Sequence, residues 1–354
     1  MKKILLFCEA LRNRAGIERM TVELANLLSE DYKVSIVTID LFKAEECPYA
    51  VSPKVKIMSL NSSFNKTFSS LKSLNIRNIR LFRKICKELY PEVIITVATP
   101  LIRISAPAII GLGIRNIGWE HFNIFAGSKA GTLFKSVAPW FVDKTVVLTE
   151  ADAVDYRKKK APDIIVIPNF TSIGSNNPSR IENKVLLAVG RHSEQKGFDL
   201  LLKAWAKSKP QGWLLTIVGD GKLKEDNIDL AEKLGISDSV IFKPSTPNIV
   251  EEFQNASCFV LSSRYEGLVL VLIEAKTMGL PSICFDCPNS PREVIRHGID
   301  GWLVPSENID ALAKEIELRL KDIDTLRLAG EKARIDALKR YSPEAIKSQW
   351  ENIL

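Results

Sequence analysis

Lys184-Val185-Leu186-Leu187-Ala188-Val189, followed by Gly190-Arg191-His192-Ser193-Glu194-Gln195-Lys196-Gly197, is the stretch on which the fold turns. Its first part reads as a strand and its second as a loop bounded by glycines. Just before it, from Pro168 to Asn183, the chain contains Pro168-Asn169 and then Ser172-Ile173-Gly174-Ser175-Asn176-Asn177-Pro178-Ser179, the composition of a linker. The strand at 184 therefore restarts a pattern that the linker interrupts. Upstream, short β-branched runs at Lys3–Phe7, Val34–Ile39, Val93–Val97, Asn116–Trp119, Lys144–Leu148 and Ile164–Ile167 alternate with helical periods. Ile17, Met20, Leu24, Leu27 and Leu28 form one such helical face. Downstream, strands are expected at Leu214–Val218, Val240–Phe242, Cys258–Leu261, Ser282–Cys284 and Gly301–Val304, and the last 45 residues read as helical. Strands separated by helices make parallel sheets covered on both faces, so the class is α/β. Two such units put ligands at the carboxyl ends of their strands, with a cleft expected between them.

Size and charge agree with this. The chain has 354 residues, 46% of them hydrophobic, which excludes a disordered class and provides for two domains. The apolar run Ile4–Cys8 is too short for a signal-peptide core or a membrane span, so the expected location is the cytoplasm. Six irregularly spaced cysteines fit reduced thiols, and Cys284-x-x-Cys287 has no second pair to complete a metal site. No other cluster of metal ligands is expected, and Walker and H-E-x-x-H patterns are absent. Residues 1–165 hold 25 Lys and Arg against 16 Asp and Glu, whereas the remainder holds 24 against 26. Nine of those cations fall in residues 54–90, interleaved with Phe64, Phe68, Leu71, Leu74 and Phe82. An anionic membrane surface suits that segment, a solvated helix face suits it as well, and no nucleic-acid motif accompanies it.

Four clusters sit where strands end. Gly16 opens the first helix, where backbone N–H groups and the helix dipole favour a phosphate, though a turn glycine has the same appearance. Arg191 and Lys196 offer a guanidinium fork and a point charge suited to a diphosphate, or to plain solvation. Glu266 and Glu274 flank Gly267-Leu268-Val269-Leu270-Val271-Leu272-Ile273. With Gly267 opening a helix, their carboxylates would stand roughly 12 Å apart. Glu274 interrupts an apolar run, so it needs a ligand or a buried partner. In Trp119-Glu120-His121-Phe122, His121 is one of only three histidines. It serves either a site or a packed core.

Together these residues resemble the family 4 retaining glycosyltransferases of the GT-B fold, of the bacterial surface-polysaccharide type (lipopolysaccharide, O-antigen or capsule). The likeness rests on Gly190-Arg191 with Lys196-Gly197, Val218-Gly219-Asp220-Gly221, Glu266 with Glu274, Ser290-Pro291-Arg292-Glu293-Val294-Ile295 followed by Gly301, and Ile167-Pro168-Asn169. It covers nearly the whole chain. Two departures stand out: Ala15 precedes Gly16 where the family has paired glycines, and Val269 follows Gly267-Leu268 where a proline or other small-loop residue is common.

The resemblance implies two facing Rossmann-like domains with a central cleft, at 1–168 and 184–336. A linker would run from 169 to 183, and a C-terminal helix over 337–354 would pack back on the first domain. It implies that Arg191 and Lys196 hold a donor diphosphate, Glu274 the ribose hydroxyls and Glu266 hydroxyls of the transferred sugar. His121 would lie against that sugar and Gly16 along the diphosphate. Gly190, Gly219, Asp220, Gly267, Leu268 and Val269 would complete the donor site. No metal or other cofactor is implied. The activity so implied is metal-independent, retaining transfer of a hexose, with a UDP-sugar as the favoured donor. The acceptor would be a lipid-linked or other growing surface glycan at the inner face of the cytoplasmic membrane. A nucleotide-sugar 2-epimerase and a non-catalytic sugar-binding protein are the alternatives. The epimerase would need a further acid/base pair, for which no residues stand out.

Overall fold

The computed structural model describes residues 1–12, 16–40, 46–63, 75–125, 128–173, 178–288 and 291–354. Ala15, Lys66, Lys72, Phe64, Phe68, Leu71, Leu74, Ser290 and linker residues 174–177 lie outside them. The chain divides into two compact units, residues 1–169 with 346–354, and residues 170–345.

Unit 1 holds seven strands: β1 (Lys3–Cys8), β2 (Lys33–Thr38), β3 (Lys56–Ser59), β4 (Val93–Val97), β5 (Arg115–Trp119), β6 (Lys144–Val147) and β7 (Ile164–Val166). They pair in parallel in the order β3-β2-β1-β4-β5-β6-β7, with Leu5 between Ser35 and Ile94. β4 is buried at every residue, as a parallel strand covered on both faces must be. Unit 2 holds β8 (Val185–Val189), β9 (Leu214–Val218), β10 (Val240–Lys243), β11 (Cys258–Leu261), β12 (Ser282–Asp286) and β13 (Gly301–Pro305), in the order β10-β9-β8-β11-β12-β13. In each sheet the first strand is flanked by its successor on one side and by a later strand on the other. The strand order therefore reverses beside β1 and beside β8, where open parallel sheets bind ligands.

Two expectations are corrected here. The cationic segment 54–90 contains an unforeseen strand, β3, whose four residues are too few to show a periodicity. In the following helix, Ile76–Leu89, Phe82 is fully buried and stacks on Phe7 with ring centroids 4.0 Å apart. Phe82 is thus core and not a membrane anchor. The C-terminal segment is three helices, Ile309–Leu320, Ile323–Tyr341 and Pro343–Glu351, and the second runs unbroken through residue 336. Asp322 starts it by accepting from Thr325 N at 3.0 Å, and Ser342-Pro343 ends it. The final residues pack within unit 1. Trp350 meets Trp119 edge-on at 5.3 Å, Lys347 pairs with Glu30 and Asp31, and Arg115 donates to the carbonyls of Ile353 and Leu354 at 2.7 Å.

Inside unit 2 the fully buried Lys276, on the helix Leu270–Thr277, donates to Val294 O at 2.5 Å and pairs with Asp336 at 2.6 Å and Asp300 at 3.0 Å. Arg296 joins Asp300 at 2.6 Å, and Arg340 joins Asp336 at 3.2 Å. A buried network of this kind is costly to break from one side, because the carboxylates left behind lose their counter-charge. Lys276→Ala should therefore lower stability by about 3–5 kcal/mol, read as a shift of the urea midpoint. Burial pushes the Asp336 carboxyl up, but the hydrogen bond and charge of Lys276, with Arg340 and Arg296, outweigh it and leave its pKa low. Its contribution is then present above the ordinary carboxyl range near pH 4 and lost as pH falls through the depressed value. Urea unfolding across acid pH should show that loss in the wild type and a smaller one in Lys276→Ala.

Candidate active site

The strand reversal beside β8 brings together two loops, residues 190–197 after β8 and 262–269 after β11. They are locked backbone to backbone. Gly197 has φ +63, and a Cβ there would lie 2.2 Å from Ser262 O, so only glycine fits. Ser262 Oγ donates to Lys196 O at 2.9 Å, and Arg264 N donates to Gln195 O at 2.8 Å. Arg264 also grips Asp199 through two bonds of 2.9 Å. The lock sets Lys196 Nζ 2.6 Å from Glu266 Oε1. Ser263 Oγ donates to the same oxygen at 2.6 Å, and Gln195 Nε2 donates to Oε2 at 3.2 Å. The Lys196 stem passes over Gly190, where a Cβ would come within 3.0 Å of Lys196 Cε. Arg191, beside it, is exposed.

The loop after β9 supports this arrangement from behind. A Cβ on Gly219 (φ +151) would lie 1.9 Å from Gly190 O, and one on Gly221 would collide with the His192 backbone. His192 N donates to Asp220 O at 2.9 Å. Both oxygens of the Asp220 carboxylate are engaged, accepting from Ser245 N and Oγ at 2.8 and 2.6 Å and pairing with Lys224 at 3.0 Å. Gly219 and Asp220 thus shape and brace the loops. His192 is buried against Phe198 and Phe242 and belongs to the core.

The helix after Glu266 begins at Leu270, not Gly267, with Val269 at its N-cap. Gly267, Leu268 and Val269 form an irregular bridge, so the two-turn separation of the carboxylates does not hold. Glu274 is buried on that helix. In unit 1, Gly16 is the first residue of the helix Gly16–Leu28, and among the described residues no group lies within 4 Å of where a Cβ would stand. His121 follows β5. It is buried against Trp119 at a ring distance of 4.3 Å, and its Nε2 has no hydrogen-bond partner among the described residues. The loop around it is held by Glu120, which accepts from His121 N at 2.8 Å and Phe122 N at 2.9 Å and is bound by Thr99 Oγ1. Ala98, next to Thr99, holds φ +71, a strained position for an L residue. Among the described residues no cluster of His, Cys, Asp and Glu is placed to hold a metal ion, and no helix is long and apolar enough to cross a membrane.

Residues 171–336 match the family described as glycosyl transferases group 1. Along its full length the chain is 34% identical to an uncharacterized glycosyltransferase of Haemophilus influenzae, which it also covers completely. The chain belongs to the glycosyltransferases. It is 29% identical over 97% of its length, and 96% of the relative's, to a Campylobacter jejuni enzyme named as an α-1,4-N-acetyl-D-galactosaminyltransferase acting on a diNAcBac-PP-undecaprenol glycan. The crystal structure of HepE from Anabaena in complex with UDP-glucose superposes with a TM-score of 0.79 at 17% identity, covering 100% of this chain and 99% of that one. That likeness shows the shared fold of two Rossmann-like units with parallel sheets, the GT-B architecture.

In this glycosyl transferase the expected residues divide. Gly190, Lys196 and Glu266 converge in unit 2, with Arg191 and Gly219 beside them, whereas Gly16 and His121 lie at the carboxyl edge of the unit 1 sheet. Ser263, Gln195, Thr99 and Glu120 were missed as supports. The only sequence signal for any of them is adjacency: Ser263 stands three before Glu266, Gln195 one before Lys196 and Glu120 one before His121.

Burial lowers the His121 pKa to about 3. The imidazole is therefore neutral in the folded transferase across ordinary pH, and an NMR titration should show no His121 protonation between pH 5 and 8. Its neutral burial supports the fold fully above the unfolded value near 6.5, and that support is lost as pH falls from there toward 3. A His121→Gln protein should show less loss of stability across that window.

Proposed function

We propose that this transferase moves a hexose from a UDP-sugar, with retention at the anomeric carbon, to a lipid-linked oligosaccharide or other growing surface glycan. The observation that carries the reading is the Lys196–Glu266 pair, a cation and a carboxylate both largely buried at the strand reversal of unit 2, with exposed Arg191 beside them. A diphosphate approaching Lys196 competes with Glu266 for the ammonium and leaves the carboxylate free to accept hydrogen bonds from sugar hydroxyls. Arg191 and Lys196 then meet the charge that grows on the leaving group, supplied by the chain itself and with no metal in the step. The bond from the anomeric carbon to the diphosphate oxygen breaks as the acceptor oxygen bonds to the same face of that carbon. The acceptor proton passes to the departing diphosphate.

Glu274 accepts from the ribose hydroxyls. The N–H groups of Gly267, Leu268 and Val269, and of the helix opening at Gly16, face the diphosphate. Neutral His121 hydrogen-bonds the transferred sugar. Gly190 and Gly219 give the loops their close approach, and Asp220 braces them. The acceptor class is supported by the Campylobacter relative, whose name specifies an undecaprenol-linked glycan, and the donor base by the UDP-glucose complex of HepE. A location at the inner face of the cytoplasmic membrane follows from that acceptor.

Arg191→Ala and Lys196→Ala should each lower turnover by about 100- to 1,000-fold; thermal melting should change little for the exposed Arg191 and fall for Lys196, whose loss strands the Glu266 carboxylate. Wild-type turnover in both would overturn the diphosphate assignment. Glu274→Gln should weaken donor binding about ten- to a hundredfold by calorimetry, through loss of charge-assisted bonds. Incubation with a panel of UDP-, GDP- and ADP-sugars and lipid-linked acceptors tests the whole reading: glycosylated acceptor supports it, and an epimerised donor or binding without turnover refutes it.

A further inference from the structure

The unit 1 helix Lys129–Val137 is built inside out. Its cation Lys135 is buried, with Nζ donating to Asn123 O at 2.9 Å and lying 5.5 Å from the centre of the Phe122 ring. Its outward stripe is apolar instead: Leu133 is 68% exposed and Val137 41%, and the stripe continues through Trp140 at 63% and Phe141 at 61%. Phe122, half-exposed and adjacent to His121, meets the inward Lys135 and so lies off that stripe. Burying an ammonium while leaving two aliphatic and two aromatic side chains in water reverses both solvation preferences. An exposed apolar stripe of this kind marks an interaction surface.

The charge around the patch says what covers it. Lys129 is exposed at the head of the helix, Arg103 lies 5.8 Å from the Phe134 ring, and Lys144 follows Phe141 closely in the chain. The cationic helix Ile76–Leu89 packs on the helix that carries Arg103, where Arg83 donates to the carbonyls of Ala108 and of Ile110, the residue that caps it. A second copy of so basic a surface would be repelled. Anionic headgroups complement it, and tryptophan with phenylalanine favours the boundary between headgroups and hydrocarbon. We propose that Leu133, Val137, Trp140 and Phe141 form the surface by which this enzyme inserts into an anionic lipid bilayer. The apolar anchoring comes from this face, residues 76–89 contribute charge, and Phe82, being in the core, adds no anchor. The proposal deepens the lipid-linked acceptor reading and rests on it for its purpose, but it is tested apart from it.

The experiment is co-sedimentation with vesicles of phosphatidylethanolamine and phosphatidylglycerol, with phosphatidylcholine vesicles as the neutral arm, at low and high salt and without donor or acceptor. The wild type should partition to the anionic vesicles, and less so in high salt. Leu133→Ser combined with Trp140→Ser should lower that partition at least about tenfold, with melting unchanged because both side chains are exposed. Tyr90→Ser, an equally exposed aromatic elsewhere in unit 1, should leave it unaltered. Brominated lipid should quench a part of the tryptophan emission that Trp140→Phe removes. Undiminished vesicle binding by the double variant would overturn the proposal. So would a lipid-free dimer that the double variant dissolves, since the face would then belong to a second copy. Transfer to a detergent-solubilised lipid-linked acceptor reports on the function alone, so failure of one reading is distinguishable from failure of the other.

Discussion

Lys196 and Glu266 meet at 2.6 Å because two loops from strands far apart in sequence touch through their backbones, and the rest of the unit 2 site depends on that contact. A partly buried ion pair gains little unless its remaining hydrogen-bonding capacity is met. Here Ser263 and Gln195 meet it for the carboxylate. The glycine at 197 removes a Cβ that would overlap Ser262 O, and the glycine at 219 removes one that would overlap Gly190 O. Electrostatic groups act most strongly when they are held before the reaction rather than assembled during it. A short stretch of glycine backbone does that work here.

Much of the fold could be read from the chain because its signals are periodic. Buried parallel strands are continuous aliphatic runs, and the alternation of such runs with helical faces predicts two open sheets. β3 escaped because four residues at a sheet edge bury too little to leave a pattern. The start of the helix at Leu270 escaped because Gly267 invites a helix N-terminus, whereas the chain spends three residues crossing from β11 before it coils. Arg191, Lys196, Glu266 and Glu274 stand out as candidates by residue type and by their place after strands, although the helical spacing expected between the two carboxylates does not hold. Their supports do not stand out, because Ser263, Gln195, Thr99 and Glu120 acquire their roles only from three-dimensional neighbours. Val218-Gly219-Asp220-Gly221 shows the opposite case: a conspicuous motif whose glycines serve backbone packing and whose aspartate is bound to Ser245 and Lys224.

The helix Leu270–Thr277 carries two buried charges with different surroundings. Lys276 is fixed by two carboxylates and a carbonyl from the segments 291–300 and 323–341, so the helix has little freedom to slide or turn. Glu274, two residues earlier, inherits that immobility. The stability of the unit and the placement of a candidate ligand-binding carboxylate are thereby linked through one lysine.

The packing of Trp350 on Trp119 has a consequence for biosynthesis. Residues 346–354 complete unit 1, yet they follow all of unit 2 in the chain. A ribosome makes β1 to β7 first, but the partner for Trp119 and for Arg115 emerges only after all of unit 2, residues 170–345, has been translated. Contacts of such sequence separation form late because the connecting chain must be ordered or spanned first. Unit 2 is contiguous and is free to fold in a single pass. Unit 1 waits, its sheet already synthesised, for the last residues of the chain to seal it.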